Sequence, residues 1–218
     1  MKRSEMMSVK NSFWGFFLCL VLSSWTSAFA QAPSGGDPGH AAQANPQKIV
    51  VVLAMHGEPP NDFPKDEFAR FFALHARLHY AEGGDEDLHR RYADLDAQIR
   101  GWPRTAENDP FYAASQLMAE QLRETTGLEV EVGFNEFCGP TVEQAIDKAV
   151  ARKAEVIIVV TPMMTPGGIH AEFQIPATVR QARKKHPGVS IRYAWPFDLS
   201  EVAQFLAKRI HQESQEGN

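Results

Sequence analysis

The feature that most constrains this chain is an unbroken aliphatic run, Ile49-Val50-Val51-Val52-Leu53, matched later by Val156-Ile157-Ile158-Val159-Val160. A strand that is apolar at every position has no face to give to water, so each run has to sit inside a sheet covered on both sides. The segments between carry a helical period instead. Pro110–Thr126 sets Phe111, Ala114, Leu117, Met118 and Leu122 along one side and stops at Gly127. Thr141 caps a helix running to Arg152, with Val142, Ala145, Ile146, Ala149 and Val150 as its buried stripe. Ile175–Lys185, with Pro176 in its first turn, and Leu199–His211, with Val202, Phe205, Leu206 and Ile210 on one side, are the remaining helices. Leu128–Phe134 alternates apolar residues with Glu129 and Glu131, which makes Glu129–Phe134 a strand with one more polar face, and Val189–Ala194 is a fourth strand. Strands alternating with helices predict right-handed crossovers and a parallel sheet. The expected fold is α/β, a four-stranded parallel flavodoxin-like sheet with helices on both faces.

One stretch is too long for a minimal βα connection. Pro59–Arg104 separates the first strand from the helix that should follow it, where 2–6 residues are usual. It holds two helix candidates, Lys65–Tyr80 and Asp85–Ile99, with Gly83-Gly84 between them. A helical hairpin inserted directly after the first strand would lie over the sheet edge, as a lid or a partner surface.

The N-terminus reads as a targeting segment. Lys2, Arg3 and Lys10 precede the apolar run Phe13–Leu22, and Ala28-Phe29-Ala30 forms an A-x-A site before Gln31. That run is shorter than the roughly 20 residues that span a bilayer, so residues 1–30 are expected to be a cleaved signal peptide and not a stable membrane anchor. Leu18 precedes Cys19, where a lipoprotein cut would want a small residue. Residues 31–47, rich in Gly, Pro, Ala and Gln, read as a disordered linker, and 48–213 as the folded domain. Cleavage removes three cations and one anion, taking the formal charge from -5 to -7. An acidic surface argues against nucleic acid or anionic membrane as the main partner. Cys138 is then the sole cysteine, so no intramolecular disulfide forms in an oxidising destination, for which the periplasm is expected.

Two histidines follow the two aliphatic strands. His56 stands in Ala54-Met55-His56-Gly57-Glu58, where Gly57 lets the backbone turn off the strand; His170 stands in Thr165-Pro166-Gly167-Gly168-Ile169-His170. Glu136 follows the Glu129–Phe134 strand between Phe134-Asn135 and Phe137-Cys138. Ligands of open parallel sheets bind beyond the carboxyl ends of the strands, and two imidazoles with a carboxylate suit a divalent transition metal. Each histidine alone is as well read as a loop residue bonded to a carbonyl; the pair at equivalent strand ends carries the signal. Cys138 is a soft ligand or, in keeping with how cysteine is mostly used, a small buried filler. His75 and His79 share a helical face and, with His89 or Glu82, offer a second zinc-like set, against the plainer reading of a solvated polar face. Met163-Met164 could floor a flat ligand or pack in the core. His186 and His211 lie near helix ends, where a cationic ring complements the dipole. No G-x-G-x-x-G and no G-x-x-x-x-G-K-[ST] occurs, so no nucleotide is expected.

Taken in order, Val50-Val51-Val52-Leu53-Ala54-Met55-His56-Gly57, Phe134-Asn135-Glu136-Phe137-Cys138-Gly139-Pro140, Val159-Val160-Thr161-Pro162-Met163-Met164 with Gly168-Ile169-His170 and Ile175-Pro176, and His186-Pro187-Gly188-Val189 resemble the class II tetrapyrrole chelatases. The resemblance is to the small sirohydrochlorin cobaltochelatase (CbiX-type) branch and runs from about Lys48 to Ile210, interrupted by Pro59–Arg104. It implies a chelatase-like sheet and ATP-independent insertion of Co²⁺, Fe²⁺ or Ni²⁺ into sirohydrochlorin or a related ring, as in cobalamin biosynthesis. It also implies a homodimer, with the metal as substrate and no further cofactor. His56 and His170 match the family's metal-site histidines and Glu136 its acidic position, making all three both metal-binding and catalytic. Glu58 and Pro59 depart from the Ser and Arg that commonly follow His-Gly, and Gln174 stands where an acid often precedes Ile-Pro. Those departures and the export signal keep a second expectation open, a non-catalytic periplasmic protein that binds or delivers metal or tetrapyrrole.

Overall fold

The computed structural model describes residues 47–80 and 86–216, with His79, Tyr80 and Glu216 described in backbone alone. The signal-peptide expectation, nearly all of the linker and Glu82 lie outside the described residues. Four parallel strands form one sheet in the order β2-β1-β3-β4: β1 (Ile49–Met55), β2 (Glu129–Phe134), β3 (Val156–Val160) and β4 (Ser190–Tyr193). This is the parallel α/β sheet that the strand and helix periods predict. β1 pairs with β2 from Val50↔Glu129 to Met55↔Phe134 and with β3 from Ile49↔Val156 to Leu53↔Val160. Its central place is why it is apolar throughout: Val50 to Met55 are all buried.

The pleat divides these residues between two cores. Val50, Val52 and Ala54 pack with Val142, Ile146 and Val179 of α4 (Val142–Ala151) and α5 (Ile175–Lys185). Val51, Leu53 and Met55 face the other way, onto Ala119 of α3 (Pro110–Thr126) with Val132 and Phe134. Local chemistry sets the helix ends. Asp109 accepts from Tyr112 N ahead of Pro110, Gly127 at φ 69 closes α3, and Thr141 with Gln144 forms a reciprocal capping box on α4. On edge strand β2 the buried Glu131 is matched by Lys148 at 2.7 Å and Arg152 at 2.9 Å.

The residues between β1 and α3 form the expected hairpin, α1 (Lys65–Tyr80) and α2 (Glu86–Gly101). Phe63, Phe71 and Ile99 make a third small core with Phe137 of the β2–α4 loop, so the insertion docks at the carboxyl edge of the sheet. Two features depart from the sequence reading. A π-helical turn, His170–Gln174, precedes α5. Helix α6 runs longer than expected, Leu199–Glu216, and of its apolar stripe Val202 is half-buried while Leu199, Phe205, Leu206 and Ile210 are 53–65% exposed. Helical period identifies an amphipathic helix but not what its apolar side meets. Among the described residues no helix is long and apolar enough to cross a membrane.

Candidate metal centre

His56, Glu136 and His170 come together at the carboxyl edge, His56 directly after β1, Glu136 just after β2 and His170 at the far end of the loop that follows β3, with ligand atoms within 4.8 Å of one another. Among the described residues no other group of three His, Cys, Asp or Glu side chains is so placed. The sheet ladder continues past the strands to align them: Asn135 N donates to Met55 O and Glu136 N to His56 O, both at 2.8 Å. Gly57 makes this approach feasible. Its φ is +98°, and a Cβ there would lie 1.9 Å from Glu136 O.

The hydrogen bonds assign the tautomers. His56 Nδ1–H donates to Gly57 O at 2.6 Å, which leaves Nε2 as a lone pair. His170 Nδ1 lies 2.5 Å from Gln174 Oε1, which can only accept, and 2.9 Å from Asn135 Nδ2, which donates to that same oxygen at 2.6 Å; with its proton on the shorter contact to oxygen, His170 leaves the second Nε2 unprotonated. The two Nε2 atoms face each other at 3.1 Å. Converging lone pairs repel unless a positive charge lies between them. Donors about 2.0–2.1 Å from one ion and roughly at right angles to each other are ~3 Å apart, so the spacing suits adjacent positions of one coordination shell. Glu136 adds charge, with Oε2 at 3.9 Å from His56 Nε2 and Oε1 at 3.8 Å from His170 Nδ1.

The loop that carries His170 is held by β4 and the segment after it, and by a bond of its own. Tyr193 Oη donates to Ala171 O at 2.8 Å, Trp195 Nε1 to Met163 O at 3.1 Å, and Gly167 N to the Glu172 carboxylate at 2.7 Å. The π-turn itself is closed by Ile175 N to His170 O. Pro176, which has no N–H for the usual bond to Glu172 O, is the sequence signal that could have revealed it. Met163 and Met164 line a cavity of about 270 Å³ beside His170, as a floor for a ligand would. On the Glu136 side a cavity of about 150 Å³ opens beneath the hairpin, lined by Phe72, His75, Tyr92, Arg100, Glu136 and Gln174. Burial, with Asp96 and Glu136 nearby, pushes the Tyr92 hydroxyl up to about 12.

Other candidates fall elsewhere. Cys138 is fully buried and burial pushes its thiol up to about 11; its sulfur contacts Glu58 O and Arg104, which is the buried-filler reading. His75 Nδ1 lies 3.3 Å from Tyr92 Oη in the hairpin, and neither it nor His89 belongs to a three-ligand group among the described residues. The side chain of His79 lies outside the described residues. His186 pairs with Asp147 at 2.7 Å across α4 and α5. The sequence reading missed Asn135, Arg100 and Arg104, all polar partners of the ligand loops, and noted Gln174 only as a departure.

The CbiX family model matches residues 105–213. A sirohydrochlorin cobaltochelatase of Priestia megaterium is 39% identical over 87 residues, 40% of this chain and 28% of its own length. One from Methanopyrus kandleri is 42% identical over 60 residues, 27% of this chain and 41% of its own. The chain thus spans less than half the length of either relative. Among solved structures, the sirohydrochlorin chelatase SirB of Bacillus subtilis subspecies spizizenii in complex with cobalt aligns with 76% of this chain and 51% of its own. Its identity is 19% and the TM-score 0.39, a likeness too distant to bear on the site. The family match takes in half of the sequence, from just after the hairpin through Glu136 and His170 to α6, and by it the chain belongs to the CbiX family.

Proposed function

We propose that this chain is an exported, ATP-independent chelatase that inserts a divalent metal, Co²⁺ before Fe²⁺ or Ni²⁺, into sirohydrochlorin or a related tetrapyrrole. The observation that carries the reading is the convergence of two imidazole Nε2 atoms at 3.1 Å beside a carboxylate. Neutral imidazoles favour late first-row divalent ions. Insertion exchanges M²⁺ for two pyrrole N–H protons, so the site needs a transient metal holder and a proton acceptor. His56 and His170 fill the first role, and Glu136 assists ligation or takes a proton. The names of the cobaltochelatase relatives support the substrate class. Export rests on the N-terminal pattern ending at Ala30. A homodimer belongs to the same reading and is supported by the uncovered stripe of α6.

One observation favours delivery without turnover. Glu58, 54% exposed, sets its carboxylate 4.0 Å from His56 Nδ1, where it repels the carboxylates of an incoming macrocycle. An anaerobic absorbance time course with sirohydrochlorin and Co²⁺ separates the two. Conversion of many equivalents, lost in His170→Ala, establishes the chelatase. A single spectral step proportional to protein establishes a carrier.

A further inference from the structure

The hairpin between β1 and α3 ends in two arginines, both aimed at the loops that carry the candidate ligands. Arg104, with a side chain 7% exposed, donates through Nη1 to Glu58 O at 2.7 Å and through Nη2 to Phe137 O at 2.6 Å and Ile99 O at 2.9 Å. It also pairs with the fully buried Asp109, the N-cap of α3, and touches Cys138 Sγ at 3.2 Å. Arg100 donates to Cys138 O at 2.8 Å and Asn135 O at 3.1 Å while bonded to Asp96 at 2.7 Å. The carbonyls of residues 135, 137 and 138, on either side of Glu136, are therefore gripped from the hairpin. So is the backbone two residues past His56. The Asn135 side chain donates to Gln174 Oε1 at 2.6 Å, the oxygen that takes the His170 Nδ1 proton at 2.5 Å, so the grip extends to the third ligand.

This loop needs holding. Phe137 sits at φ +54°, a conformation an aromatic residue adopts only when its surroundings impose it. Its ring is packed among Phe68, Phe71 and Phe72 of α1 at centroid distances of 5.9–6.2 Å. Ring packing fixes the side chain, and the guanidinium groups fix the backbone.

We infer that Arg104 and Arg100 are positioning residues that set the mutual placement of His56, Glu136 and His170. The helical insertion, in addition to covering the edge, then governs how tightly the site holds its divalent cation. This rests on the metal-site reading above. Neither arginine touches the ion, so the effect is on affinity and ligand field. Outer partners of metal ligands typically change affinity 10–100-fold when lost.

The test is a Co²⁺ titration of the purified full chain, followed by visible absorption, for the unaltered protein and for His170→Ala, Arg104→Lys, Arg100→Gln and Arg91→Gln. Lysine keeps the charge opposite Asp109 but cannot bridge two loops as the planar fork does. Arg100 is 18% exposed, so its variant decides the matter should Arg104→Lys fail to fold. Arg91, exposed on the same helix and paired with Asp87, controls for charge. The expected result is Co²⁺ binding weakened tenfold or more, with shifted ligand-field bands, in Arg104→Lys and Arg100→Gln and unchanged in Arg91→Gln, with far-ultraviolet dichroism equal throughout. Binding lost in His170→Ala yet equal in affinity and spectrum in the two arginine variants would overturn the inference alone. No Co²⁺ binding by the unaltered chain, or binding that survives His170→Ala, would overturn the site reading and this inference with it.

Discussion

His56 and His170, 114 residues apart in sequence, meet Nε2 to Nε2 at 3.1 Å because each has its other ring nitrogen committed to a local acceptor. Two donors on one ion act as a unit, and losses within a unit do not add. His56→Ala and His170→Ala are each expected to lower Co²⁺ insertion by at least ~100-fold, and the double substitution to lower it little further. Steady-state rates for all three variants check this. Independent, multiplying losses would mean that the rings do not share one ion.

How this pair was legible in the sequence has a physical reason. Apolar residues at every position force β1 and β3 into the sheet interior, so whatever follows them must emerge at the carboxyl edge, and His56 follows directly. The Glu129 and Glu131 alternation likewise marked β2 as the more polar strand, and it lies at an edge. The arginines were not legible. Arg104 and Arg100 act on backbone carbonyls, which no side-chain pattern announces, and they reach residues 33–38 positions away that only the docked hairpin brings close. The cover of α6 was not legible either, since Val202, Phe205, Leu206 and Ile210 make the same pattern whether they meet their own sheet or another molecule.

Gly57 is the narrowest point of the site. Any Cβ there collides with the Glu136 carbonyl and is strained at φ +98° as well. Gly57→Ala is expected to push the β2–α4 loop away, costing ~1–3 kcal/mol of stability and Co²⁺ affinity along with it. Gly188→Ala, with open space around its Cβ position, should leave both unchanged. Thermal unfolding with and without Co²⁺ distinguishes them; equal metal stabilisation of the two variants would refute the role of the close approach.

Cys138 offers a chemical readout of the same region. Burial raises its thiol to about 11, so at pH 8 it stays in the unreactive neutral form, and it has no surface exposed to reagent. Iodoacetamide should leave the Cys138 peptide unmodified in the native protein and label it fully in denaturant, as mass spectrometry of the digest would record. Arg104→Lys, which loosens the packing on the sulfur, should speed native labelling. Rapid labelling of the unaltered native protein would show that this loop opens freely.

The stripe of α6 makes the last prediction. Phe205 and Ile210 are 62% and 65% exposed, and Leu199 and Leu206 add to the same uncovered surface. Several large apolar residues exposed along one helix suit a contact with another molecule, and a second copy is the partner proposed here. Light scattering should give twice the chain mass for the native protein and a single chain mass for Phe205→Lys with Ile210→Lys. Because neither side chain is packed within its own described fold, circular dichroism should be the same for both. The candidate ligands His56, Glu136 and His170 all come from one chain, so the monomeric variant should still bind Co²⁺ with near-native affinity. Loss of binding together with the second copy would place part of the site across the interface. A native protein of single-chain mass at all concentrations would leave α6 to some other occupant and remove the dimer from the proposed function.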